Sequence, residues 1–114
     1  MADFDFDQEE AHLRRQRHFL DEIEREIRHL NRETIHAVVP PLDRKQFLEL
    51  ARIVARRRAE YLRLAIELAR CDPADPSSQA LLEAIPAARR HFFESRDAFA
   101  ALERAVECGY IDVA

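Results

Sequence analysis

The chain has 114 residues, a formal net charge of -4, 47% hydrophobic and 35% charged residues, two cysteines and a single glycine. That length suits one domain, and the acidic balance gives no overall attraction to nucleic acid phosphates or anionic lipid. Two cysteines cannot build a disulfide framework, so Cys71 and Cys108 are expected to be reduced.

The start, Met1-Ala2-Asp3-Phe4-Asp5-Phe6-Asp7, lacks the basic flank and apolar run of a secretory signal, and no later window is apolar enough to span a membrane. A soluble cytoplasmic protein without membrane contact is expected. Residues 1–6 read as a flexible acidic tail, and Asp7 as the N-cap of a first helix over 7–39, with further acids favoured by the helix dipole. Leu13, Leu20, Ile23, Ile27, Leu30 and Ala37 recur at three- and four-residue steps, interrupted by Gln16 and Thr34. This spacing predicts a seam of coiled-coil type. Pro40 and Pro41 end the helix, since proline has no amide donor and pushes its predecessor out of the helical region.

A second helix is predicted over 43–71, where Asp43 caps, Gln46 completes a capping box and Leu42 staples onto Phe47. Its apolar residues form two adjacent stripes, Phe47, Leu50, Val54, Tyr61, Leu64 and Leu68 beside Leu48, Ala51, Ala55, Leu62, Ala65 and Ala69. A surface that wide predicts a central helix touching both others. The third helix is predicted over 75–108, with Asp75 as N-cap, Pro76 in the first turn and Gly109 as the left-handed stop. Leu81, Ile85, Ala88, Phe92, Phe99, Leu102 and Val106 form its stripe, with Phe93 alongside, and Pro86 predicts a kink or short break. Residues 109–114 form a tail whose Tyr110, Ile111 and Val113 can fold back on the bundle end or bind a partner.

These elements predict an all-α, antiparallel up-down-up three-helix bundle with helices of about 30 residues, resembling a spectrin-type repeat in helix number and length. Cys71 and Cys108 then lie at opposite ends. A bundle of that length is slender for one chain, and two chains associating into a larger helical assembly is the alternative.

The sharpest chemical pattern is a doubled Glu-x-x-His on the first helix: Glu26 with His29, and Glu33 with His36. Residues three, four and seven apart share one helix face. Imidazole and carboxylate suit iron, zinc or manganese, and the spacing resembles that of ferritin-like di-metal sites. That resemblance implies a divalent transition metal at a subunit interface, completed by Glu49, Glu60, Glu67, Glu94 or a second subunit. The competing reading is a solvated face laced with ion pairs.

Arginines cluster at Arg14-Arg15-Gln16-Arg17 and at Arg52 with Arg56-Arg57-Arg58, but Glu49, Glu60 and Glu67 interleave with the second cluster, which disfavours nucleic acid binding. Arg57 interrupts an apolar seam, a position from which it can snorkel or pair across a subunit interface. No glycine-rich phosphate loop or nucleophile elbow points to catalysis. The expected function is protein association, as a homo-oligomer, adaptor or regulatory subunit, through Leu20, Ile23, Ile27, Leu30 and Arg57. Metal binding by Glu26, His29, Glu33 and His36 is the alternative.

Overall fold

The computed structural model describes residues 2–114, with side chains from residue 5 onward. The chain is all-α, built from three long helices: α1 (Ala2–Val38), α2 (Arg44–Arg70) and α3 (Pro76–Glu107). None of the described helices is long and apolar enough to cross a membrane.

The helix ends follow local chemistry. At α2, the Asp43 carboxylate accepts from the Gln46 amide at 2.7 Å and the Gln46 side chain accepts from the Asp43 amide at 3.1 Å, a complete capping box. Asp75 accepts from the Ser77 amide at 3.0 Å, with Pro76 opening α3. At the other end Gly109 adopts φ 75°, the Gly109 amide donates to Val106 O and the Tyr110 amide to Ala105 O. These bonds form a Schellman stop, which needs a residue free to enter the left-handed region.

One local expectation is corrected. Asp7 does not cap α1, because the helix already runs from Ala2, so residues 2–6 belong to a helix and not to a tail; Met1 lies outside the described residues. No glycine or proline precedes Pro40, and the acids Asp5 and Asp7 sit where the helix dipole favours negative charge, so nothing stops the helix starting early. Of the kink or short break expected at Pro86, the break is absent, since α3 runs through Pro86 as one helix of 32 residues.

Packing is concentrated in one helical hairpin. Phe47 meets Phe99 edge-on with ring centroids 5.4 Å apart, and Tyr61 lies 6.1 Å from both Phe92 and Phe93. Ascending numbers on α2 meet descending numbers on α3, so the pair is antiparallel. Val54 and Leu64 of α2 and Ala88 and Phe92 of α3 are buried between them. Only the first of the two α2 stripes is used: Leu48 and Leu62 of the second remain about half exposed. The expectation that α2 touches both other helices is therefore corrected, because the only helix-on-helix packing among the described residues is α2 on α3.

The first helix is held at one end by the C-terminal segment. Leu42 and Val113 pair as an isolated parallel bridge, with the Leu42 amide donating to Asp112 O at 2.8 Å and the Ala114 amide to Leu42 O at 2.9 Å. Ile111, only 6% exposed, plugs this junction. Arg32 of α1 donates to Gly109 O at 2.7 Å, and Asn31 to the Tyr110 hydroxyl at 3.4 Å. The remaining length of α1 projects away, giving extents of 80 × 43 × 17 Å and a radius of gyration of 24.5 Å. A compact chain of this length would have a radius near 13 Å.

Candidate association surface

A helix of 37 residues is about 55 Å long, and α1 carries its apolar stripe in the open. Leu13, Leu20, Ile27 and Leu30 are all exposed, as is Phe19 on the flank of the stripe; Leu20 retains 63% of its accessible surface. Ile23 is partly shielded. Contiguous apolar area of this kind, rimmed by charge, marks interaction surfaces on folded proteins. In heptad terms Leu13, Leu20 and Ile27 occupy one core position and Gln16, Ile23 and Leu30 the other. Phe19 was not part of the predicted stripe, although its place beside Leu20 was the available signal.

Polar side chains of α1 pair one turn apart along its length. His18 lies 3.0 Å from Glu22, Arg28 donates to Glu24 at 3.0 Å, and His29 lies 3.0 Å from Glu33. Exposed pairs of this spacing each contribute a few tenths of a kcal/mol. They support a helix that, among the described residues, has no tertiary neighbour along most of its length.

The doubled Glu-x-x-His ridge divides between two tasks. His29 and Glu33 pair with each other, whereas His36 turns to Asp112 of the C-terminal segment at 3.6 Å, where Arg32 also approaches Asp112 at 3.6 Å. Glu26 lines a shallow hollow with Arg25, His29 and Leu30. Among the described residues no group of three or more histidine, cysteine or acidic side chains lies close enough to hold a metal ion. Side chains three, four and seven apart on one helix meet only as neighbouring pairs, and a fuller ligand set needs a facing element, which among the described residues α1 meets only in the C-terminal segment.

The arginines of the hairpin are engaged locally. Arg52 and Arg56 both donate to Glu49, at 3.2 and 3.3 Å. Arg63 is bracketed by Glu60 and Glu67; these hydrogen bonds hold the Glu60 carboxyl below its ordinary range and the Arg63 guanidinium above its own. Arg58 lies over Phe92 at 5.1 Å, while Arg89 and Arg96 stack on Phe93 at 5.1 and 4.5 Å. Arg57 borders a small hollow with Glu60, Ala88 and His91, on the hairpin and apart from the α1 seam. The structure thus brings Leu20, Ile23, Ile27 and Leu30 onto one surface and leaves Arg57 on another.

Both cysteines carry free thiols, and the Cys71 sulfur lies 3.2 Å from the Ser77 hydroxyl at the α2–α3 turn. Comparison with known proteins gives no relatives: no family model matches the sequence, no curated protein matches it and no solved structure matches the fold.

Proposed function

We propose that this protein works by protein association through the seam of α1, with the α2·α3 hairpin as its folded base. The observation that carries the reading is the exposure of Leu13, Phe19, Leu20, Ile27 and Leu30 on a helix whose only tertiary anchor among the described residues is the C-terminal junction. Apolar seam residues supply affinity when covered, at about 25 cal/mol per Å² of apolar surface, and the flanking charges select register and partner. Such a module serves as a homo-oligomer, an adaptor or a regulatory subunit.

Light scattering on the wild type and on an Ile23→Asp/Ile27→Asp double variant tests the reading. The expected result is an assembly in the wild type that dissociates in the variant, while the hairpin keeps its thermal transition. An assembly that survives both substitutions would place the association surface elsewhere and overturn the reading.

A further inference from the structure

We infer that the occupant of the α1 seam is the α1 of a second copy of this chain, running antiparallel, with Leu13 opposite the partner's Leu30 and Leu20 opposite the partner's Ile23. This rests on the association reading and adds partner, direction and register to it.

Charge decides the direction. In an antiparallel pair the two flanks of the seam face their own counterparts, whereas in a parallel pair each flank faces the opposite flank of the partner about one heptad on. The antiparallel register sets Arg17 against the partner's Glu24 and His12 against the partner's Glu33, and two-fold symmetry doubles both contacts. Arg17 forms no ion pair among the described residues, and Glu24 uses Oε1 for Arg28, leaving Oε2 available. A parallel pair would place Asp5 against the partner's Glu10, with no pair of opposite charges along the seam. Like charges across a seam disfavour that arrangement.

Apolar layers agree with the same register. Leu13 with the partner's Leu30, Leu20 with the partner's Ile23, and their symmetry mates form four apolar layers centred between Asp21 and Glu22. Gln16 meets the partner's Ile27, and the polar residues Glu9 and Thr34 close the seam at each end. Phe19 falls beside the partner's Glu26, over the hollow that Arg25, Glu26, His29 and Leu30 form. Six large apolar side chains burying on the order of 100 Å² each bring the interface, both copies counted, to about 1,200 Å², the lower bound for a stable complex. Arg32 and His36 lie on other faces of α1 than the one carrying Leu20 and Ile27, while Asn31, four residues beyond Ile27, brings the Tyr110 hydroxyl to the edge of the seam, where the register sets the partner's Glu10.

Cysteine pairing reads the register directly. In a Cys71→Ser/Cys108→Ser background, a Leu13→Cys chain is mixed under reducing conditions with a tagged Leu30→Cys chain and then oxidised. Antiparallel pairing predicts the mixed disulfide and almost no homodisulfide, because like positions lie about 26 Å apart along the axis. Homodisulfides in place of the mixed species would overturn the register while leaving the association reading intact. A wild-type chain that light scattering shows to be monomeric would overturn self-pairing, and an assembly surviving Ile23→Asp/Ile27→Asp would overturn both readings. Charge exchange adds a second readout: Arg17→Glu weakens the dimer roughly tenfold and Arg17→Glu/Glu24→Arg restores it. Failure of the double variant to restore affinity would overturn the Arg17 contact and with it the register.

Discussion

The α2·α3 hairpin and α1 are made of similar material and meet different fates. Both are amphipathic helices rich in arginine and glutamate, yet the hairpin buries Val54, Leu64, Ala88 and Phe92 while α1 leaves Leu13, Leu20, Ile27 and Leu30 in the open. What separates them is the connection. A short turn at Cys71–Asp75, with Asp72 accepting from the Ala74 amide at 3.0 Å, folds α3 back on α2. The Pro40-Pro41 link instead leads into a backbone bridge with the segment that follows α3, which anchors only the end of α1 while the rest of the helix projects away. Amphipathicity therefore specifies that a face wants covering, and the loops decide whether the same chain covers it.

The largest test of this contrast is Phe92→Ala against Leu20→Ala. Phe92 sits between the helices under Arg58, so its truncation is expected to cost about 3 kcal/mol in denaturant titration. Leu20→Ala in the dissociated chain should stay within about 0.5 kcal/mol of wild type, as surface substitutions do. Equal losses would erase the distinction between the two regions. Next comes Ile111→Ala, expected to cost about 2 kcal/mol at the junction and to speed amide exchange over residues 31–38 more than in α2 or α3.

Gly109→Ala sharpens the same point through the backbone. A side chain at φ 75° is strained by about 1 to 2 kcal/mol, and the added carbon would stand 3.5 Å from the Arg32 guanidinium that ties α1 to this turn. Calorimetry should register the loss. Asp43→Ala removes one half of the capping box at the start of α2 and is expected to cost about 1 kcal/mol, with helix content falling first at residues 44–47.

The smallest effect is a pH dependence at α3. The Ser77 amide donates to the Asp75 carboxylate and holds its pKa below the ordinary 3.8. A folded value below the unfolded one gives stabilisation that is complete above pH 3.8 and is lost as pH falls through the folded value. Amide exchange at Ser77 and Ser78 should therefore accelerate in that acid window, and Asp75→Asn should flatten the response.

Much of the architecture was legible because it is encoded within a few residues. The Asp43/Gln46 box, the Asp75-Pro76 start and the Gly109 stop each depend on contacts no more than five positions apart, and each appears where the pattern placed it. The early start of α1 is not legible in the sequence, because Asp7 is a competent cap and equally a good first-turn acid. The ridge of Glu26, His29, Glu33 and His36 was legible as a shared face, but its partition was not, since Asp112 claims His36 across 76 positions of sequence.

By itself the sequence determined three long helices, two of their caps, the glycine stop and which face of each helix is apolar, because these follow from short-range hydrogen bonding and a 3.6-residue period. Only the tertiary structure decided which apolar faces are spent inside the chain. Leu42 and Arg32 lie some 70 to 80 positions before Asp112, and their meeting with it is what fixes one end of α1 while the rest projects away. That choice depends on long-range contacts and loop geometry, to which helical periodicity is blind.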